Sequence, residues 1–534
     1  MRRIAVLSAL TLVCLGAGAQ SKSFNLGKWV EIQSALLKEL NRSYVDSLPV
    51  DRMEKAGVDA MLADLDPYTI YVPQEENEDL ELLLKKTYGG IGAIIYKPDK
   101  QGDVIINEPY ADSPGVKAGI ECGDRVLEID GVSTHGLDTK QCSDRMKGKP
   151  GTEVVLGVRK VRTGEIRDIH VVRDRIHIPD VQYYGMLDSV TGYLLLSGFT
   201  EGVAAQVRSA VKSMRSEGMK EFVLDLRGNG GGLLNEAVDI VSIFVPKGSL
   251  VVSAKGKDEY REYRTADDPV DTELGVIVLV DSGSASASEI VSGALQDLDR
   301  ATIMGSRTFG KGLVQGMRPL PYGGTIKVTT AKYYTPSGRC VQAIDYSRRN
   351  EDGSVGHIPD SLTREFKTAH GRIVRDGGGI TPDVKLDFKD YSRLTYSVVL
   401  GGVVEQYVLD YVERHESIPA VKDFHFTDYD DFVSFAAKRE FDYRSSAKTY
   451  FDKMKEELAK DGLADSMEGA LNSMEEALKV DKETVLRLKK DELIPFIEEE
   501  LAVRYYFQAA GVQIRLRYDE QLKEALTSPR ISSF

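Results

Sequence analysis

Midway along the chain, segments of strand-like and helical period alternate, and that alternation leaves few folds open. Short, apolar, β-branched runs at Phe222–Leu226 and Val276–Val280 read as strands buried on both faces. Each is followed by helical spacing, from about Leu233 to Phe244 and from Glu289 to Leu298. A strand-like Tyr193–Leu196 and a helix over Val203–Met214 precede them, and another apolar run lies around Ala301–Met304. Strands alternating with helices imply parallel crossover units, so the spacing predicts an α/β core within residues 180–384.

At the junction after Val280 stands Gly283-Ser-Ala-Ser-Ala-Ser-Glu289, with Ser286 at the hinge between strand and helix. Ser286 and Glu289 fit a capping box, a purely structural use. A hydroxyl at a helix N-terminus is also where free amides and the helix dipole stabilise an alkoxide or oxyanion. A serine needs a base to become a nucleophile. His177 and His357 are distant and sit in no catalytic motif, and the Gly-x-Ser-x-Gly elbow is absent.

Lys311, between Gly310 and Gly312, is the better candidate base. Glycines let the backbone approach closely, so the amine can be held inward and desolvated. Bringing a lysine pKa from about 10.4 to about 7 or 8 requires roughly 4 kcal/mol of destabilisation of the cation, which burial supplies. Gln315 offers an amide oxygen to hold the lysine nitrogen. A solvated lysine in a glycine-rich turn is the plain alternative.

A third motif, Phe222-Val-Leu-Asp-Leu-Arg-Gly-Asn-Gly-Gly-Gly-Leu233, is a strand ending in a glycine-rich turn. Such turns also cradle phosphates, but this one is neither a P-loop nor a dinucleotide fingerprint. Asp225 and Arg227 read as a structural ion pair or turn brace.

Together, Gly-Ser-Ala-Ser-Ala-Ser-Glu, the Asp-Leu-Arg-x-Asn-x-Gly-Gly segment and Phe-Gly-Lys-Gly-x-x-Gln, with Lys311 standing 311 − 286 = 25 positions after Ser286, resemble the carboxyl-terminal processing (tail-specific) proteases, peptidase family S41. The resemblance implies a ClpP/crotonase-like core and a Ser-Lys dyad. Ser286 takes the place of the nucleophile, Lys311 of the general base and Gln315 of the residue orienting it. Ala287 with Gly231 or Gly232 would form the oxyanion hole, and Ser284 and Ser288 would pack and cap. Leu65-Asp-Pro-Tyr-Thr69 is similar to a family turn, with Tyr68 where histidine is usual.

Residues 86–175 form short strands and turns. Tyr88-Gly-Gly-Ile-Gly-Ala93, Ser113-Pro-Gly-Val-Lys-Ala-Gly-Ile120 and Gly123-Asp-Arg-Val-Leu-Glu-Ile-Asp-Gly131 resemble a PDZ domain. Gly90, Ile91 and Gly92 are assigned to the loop that binds a terminal carboxylate, beside an edge strand that pairs with an extended peptide. The fold class is thus multidomain α/β: a protease core with an inserted PDZ domain and helical N- and C-terminal regions. The helical regions span 24–84, where Glu75 to Glu81 reads as a solvated helix face, and 391–534. The latter is expected to dimerise the chain or gate the substrate path, and 357–379 to be a loop excursion.

The chain has 534 residues, 42% hydrophobic and 28% charged, with a net charge of −14. That acidity argues against nucleic acid and anionic membranes as general partners. Met1-Arg-Arg, an apolar run Ile4–Leu15 and Ala17-Gly-Ala19 read as a signal peptide, residues 1–19, followed by a soluble periplasmic enzyme. Cys14 as a lipid anchor fits poorly after Val13. Cys122, Cys142 and Cys340 allow one disulfide, Cys122 with Cys142, or three free thiols. No Cys/His spacing suggests a metal, and no cofactor is expected. The expected partners are proteins or peptides with free C-termini, and a second copy of the chain through the helical regions. Two other readings compete: a PDZ-bearing scaffold or chaperone with a silent core, and a crotonase-like acyl or thioester enzyme.

Overall fold

The computed structural model describes residues 24–77, 85–97, 100–349, 355–387, 390–442, 445–479 and 481–530. The signal-peptide expectation, residues 1–19, lies outside them, as does most of the acidic stretch after Asn77. Two compact units emerge. The smaller joins the described part of the first 72 residues to Met317–Val328. It holds helices 24–43 and Val50–Ala63 and a short strand, Ile70–Val72, paired antiparallel with Thr325–Lys327. The larger unit holds everything else.

At the centre of the larger unit is a six-stranded sheet. Its order is Val181–Met186, Thr191–Leu196, Glu221–Asp225, Gly275–Val280, Thr302–Gly305 and Val384–Lys385. The first pair is antiparallel and every later pair parallel, as crossover connections require. Alternate side chains divide between the two faces. Leu194, Leu196, Phe222, Leu224, Val276, Val278 and Ile303 pack under helices Val203–Ser216, Leu234–Val241 and Ala287–Asp297. At these fully buried positions, truncating Leu224 to alanine costs about 2–5 kcal/mol.

Tyr193, Leu195, Val223, Ile277, Leu279 and Met304 face the other way, against Val512, Leu522 and Ala525. These belong to helices Gln508–Tyr518 and Glu520–Thr527, the last two of the chain. The last part of the C-terminal region therefore supplies the second helical layer of this sheet, a packing role its pattern did not specify. A helical apolar stripe records that a face is covered and says nothing of which partner covers it. The remaining C-terminal helices build a core of their own, with Tyr407 packed edge-on against Phe426, Phe432 and Phe435.

Before the core, strands Ala93–Tyr96, Val104–Pro109, Arg125–Ile129, Glu153–Arg159 and Ile166–Val172 form one antiparallel sheet, with Val132–Ser133 appended. Helix Thr139–Met146 closes over it, started by a reciprocal Asp138–Gln141 capping box. Thr87–Gly90 and Asp174–His177 pair with each other where the chain enters and leaves this sheet. Lys86 meets the buried Asp180 at 2.5 Å at that crossing. This sheet docks on the C-terminal helices by polar contacts, Asn107 to Glu405 (2.6 Å) and Arg504 to Asn107 (3.0 Å) among them.

The region 357–379 is more ordered than a loop excursion. Glu365–Lys367 and Ile373–Arg375 pair, and Arg372 ties the hairpin to Asp299 (2.6 Å) and Asp383 (2.6 Å). Cys122, Cys142 and Cys340 are free thiols, and Cys122 donates to the carbonyl of Asn107 at 3.1 Å. Among the described residues no helix is long and apolar enough to cross a membrane.

Candidate active site

The parallel registers set Leu195 beside Asp225, Asp225 beside Leu279 and Val280 beside Gly305. The strands therefore end together. The connections that follow, including 226–233, 281–286 and 306–312, gather at the carboxyl edge, where open α/β sheets place their ligand sites.

Ser286 stands immediately before helix Ala287–Asp297 with φ +55° and ψ −110°. A positive φ at a residue with a Cβ costs about 1–3 kcal/mol and persists only when its surroundings over-determine it. Here they do. The Ser286 amide donates to Glu289 Oε2 (2.9 Å), and the Ser286 carbonyl accepts from the amides of Glu289 and Ile290 (both 2.9 Å). Ala287 is the first helical residue, so its amide has no acceptor within the helix. The flanking serines are engaged elsewhere and fully buried. Ser284 Oγ donates to the carbonyl of Leu226 (2.7 Å), and Ser288 Oγ to that of Asn229 (2.8 Å).

Lys311 reaches the same place from the far side of strand Thr302–Gly305. Its amide donates to Glu289 Oε2 (2.8 Å), the oxygen that also accepts from Ser286. Glu289 Oε1 accepts from Thr308 Oγ1 and the amide of Gly310 (both 2.7 Å). Burial pushes the Glu289 carboxyl above its ordinary range, and the four hydrogen bonds pull the other way. A second clamp works on the carbonyls: Tyr333 Oη lies 3.1 Å from the carbonyl of Ser286 and also against that of Lys311. Lys311 is half-buried, between two buried glycines. A Cβ at Gly310, whose φ is +89°, would meet Ala343 Cβ at 2.4 Å, and one at Gly312 would meet the Gln342 amide at 2.8 Å. The glycines are there because residues 342–343 pack directly on the lysine turn.

The glycine-rich turn is sewn to the serine hinge by Asn229, which is fully buried. Its carbonyl accepts from the Ala285 amide (3.0 Å) and Ser288 Oγ, its Nδ2 donates to the carbonyl of Leu196 (2.8 Å), and its Oδ1 accepts from the Gly231 amide (2.9 Å). Gly231, at φ +99°, is so close to the hinge that a Cβ there would meet Ser286 Cβ at 2.8 Å and the Ala287 amide at 2.9 Å. Gly232 packs on Phe199, leaving no room for a Cβ.

Gln315 lies on strand Leu313–Pro319, half-buried, and its Nε2 donates to Thr329 Oγ1 at 3.4 Å. Asp225 and Arg227 form the ion pair read from the sequence, at 2.5 Å, and Tyr193 Oη also donates to Asp225 (2.8 Å). Asp225 and Asp519 keep the Arg227 guanidinium charged despite its burial.

In the antiparallel sheet that precedes the core, Ala93–Tyr96 is the outermost strand beside helix Thr139–Met146. Gly90, Ile91 and Gly92 lead into it; Gly92 has φ +78°, and a Cβ there would meet Ser113 Cβ at 2.4 Å. Asn229, Thr308 and Tyr333 escaped the sequence reading. The first two sit inside or beside motifs already singled out, whereas nothing local marks Tyr333.

Residues 105–160 match the PDZ domain, 190–347 peptidase family S41, and 394–528 the C-terminal helical domain of probable PDZ-proteases. The carboxy-terminal-processing protease of Bartonella bacilliformis is 35% identical over 349 residues, 63% of this chain and 78% of that protein. The chain belongs to peptidase family S41, the carboxy-terminal processing proteases. This S41 protease is accordingly a serine peptidase with a multidomain α/β architecture. The carboxy-terminal processing protease CtpA of Bacillus subtilis is 30% identical to it over 416 residues, 77% of this chain and 87% of that protein. Among solved structures, the photosystem II D1 C-terminal processing protease is 26% identical, with 68% of this chain and 88% of that one covered and a TM-score of 0.38.

Proposed function

We propose that this S41 protease is an exported endopeptidase that captures protein C-termini through its PDZ domain and cleaves peptide bonds with Ser286 and Lys311. The observation that carries the reading is the shared acceptor: the amides of two motifs 25 positions apart meet on one buried oxygen, Glu289 Oε2. In the reaction, Lys311 takes the hydroxyl proton of Ser286 as Oγ attacks the scissile carbonyl. The Ala287 amide and a glycine amide stabilise the oxyanion. Since the Gly231 amide already donates to Asn229 Oδ1, the glycine donor is assigned to Gly232. The protonated lysine then gives its proton to the leaving amine, and water, deprotonated by the same lysine, releases the acyl group. Gln315 orients the lysine from the neighbouring strand.

The outer strand Ala93–Tyr96 supports the capture step, because its outer edge, unpaired in the sheet among the described residues, can add an extended peptide whose carboxylate ends at Gly90–Gly92. The test uses the purified chain with an unstructured, apolar-tailed protein. Ser286→Ala and Lys311→Ala are each expected to abolish cleavage while the fold persists, and a fluorophosphonate probe to label Ser286. Cleavage near the wild-type rate in either variant, or a label on another hydroxyl, overturns the dyad.

A further inference from the structure

We infer that Asp519, from the C-terminal helical domain, is a positioning residue for the oxyanion loop and acts through Arg227. The inference rests on the protease reading above and concerns what holds its glycine-rich turn. Arg227 immediately precedes that turn. Its guanidinium is bound on one side by Asp225, at the end of its own strand, and on the other by Asp519, with Nη2 to Oδ2 at 2.5 Å and Nη1 to Oδ1 at 3.2 Å. Gln521 Oε1 takes a third bond from Nη1 (3.0 Å). Asp519 is itself fixed: it N-caps the last helix, accepting from the Leu522 amide at 2.8 Å, and Leu522 is buried against the catalytic sheet.

Two features make this bridge consequential for the loop. First, the turn beyond Arg227 carries few side chains and is tied largely by hydrogen bonds, Gly228 to Asp281 Oδ1 (2.9 Å) and the bonds of Asn229, so a displacement at 227 is passed on towards Gly231 and Gly232. Second, the helical domain does not pack closely on the strand ends at this point. A cavity of about 380 Å³, walled by Tyr193, Leu195, Tyr391, Phe496 and Leu516, opens beside the bridge. Apolar contact cannot fix the guanidinium there, and the charged bridge does. The bridge itself is only slightly exposed, with 19% of the Arg227 side chain and 11% of that of Asp519 accessible, so solvent weakens it little.

The test compares full-length wild type with Asp519→Ser and Asp519→Glu. Serine keeps the helix cap but is too short to reach Arg227, and glutamate restores the charge. Amide hydrogen exchange across residues 226–233 is read together with kcat and KM. The expectation for Asp519→Ser is exchange in that segment faster by about tenfold or more and kcat lower by a similar factor, with KM within about twofold and exchange in the PDZ sheet unchanged. Asp519→Glu should recover most of both. Unchanged exchange at 226–233, or a general loss of protection across the last two helices that glutamate does not rescue, overturns the inference. The exchange measurement needs no catalysis. A wild-type chain that cleaves nothing would count against the dyad and leave the bridge to be decided by exchange.

Discussion

Ser286 and Lys311 donate their amides to the same oxygen, Glu289 Oε2, at 2.9 and 2.8 Å. The Tyr333 hydroxyl lies against both of their carbonyls, its single proton placed between the two acceptors. The backbones of the proposed nucleophile and base are therefore fixed to each other, although they come from opposite ends of a helix-strand crossover. For the proposed dyad such fixtures matter, since a misplacement near 1 Å costs on the order of a hundredfold in rate.

Glu289→Gln tests that arrangement. An amide in place of the carboxylate presents an NH2 to at least one of the four donors, leaving a buried donor unpaired and losing charge-assisted bonds. We expect a loss of about 2–5 kcal/mol in unfolding free energy by urea titration. At temperatures where the variant stays folded, kcat should fall at least tenfold. Full activity with unchanged stability would mean that the shared oxygen does not hold the dyad.

Gly231→Ala probes the proposed oxyanion side. The added Cβ falls 2.7 Å from the carbonyl of Ala285 and 2.8 Å from Ser286 Cβ, at a φ of +99° that side chains rarely adopt. Both loops must shift, so cleavage is expected to vanish while circular dichroism remains native. Ser284→Ala should behave differently: it removes a bond to the Leu226 carbonyl, costs about 1–3 kcal/mol in stability and leaves fluorophosphonate labelling on Ser286.

Much of this was legible because local period and motif agree. The strands at 222 and 276 carry unbroken apolar runs, and the helix after Ser286 starts with a glutamate at its third position, so hinge and cap could be read directly. Tyr333 could not, because it reaches the site by lying on a strand that pairs with Leu250–Gly256, a partnership with no short-range signature. The partner of the last two helices was hidden for a related reason. Leu522 and Ala525 look like any amphipathic stripe, and their partner is a sheet face formed some three hundred residues earlier. Asn229 was visible within its motif, but its bonds depend on three loops converging.

For the PDZ sheet, the expected ligand is an extended peptide with a free, apolar C-terminus. Fluorescence anisotropy with such a peptide should show saturable binding by Ser286→Ala protein, weakened at least tenfold when the peptide is amidated. Gly92→Ala should weaken it similarly, since a Cβ there meets Ser113 Cβ at 2.4 Å. Equal affinity for the acid and the amide would remove the carboxylate loop from recognition.

The C-terminal domain carries a distinct acid response. Burial alone would raise the Glu492 carboxyl, but Lys489, Thr395 and the Ser392 amide outweigh it and hold it down at about 2, against an ordinary 4.5. A carboxyl whose native pKa is depressed stabilises the fold fully above the unfolded value and loses that contribution as the pH falls through the native one. The gap in urea stability between wild type and Glu492→Gln should therefore be widest above pH 4.5 and shrink steadily as the pH drops from there towards 2. The helices it joins, Arg393–Leu400 and Lys490–Tyr506, should be the first to lose amide protection on acidification. A gap that does not change with pH would show that Glu492 acts there by shape and not by charge.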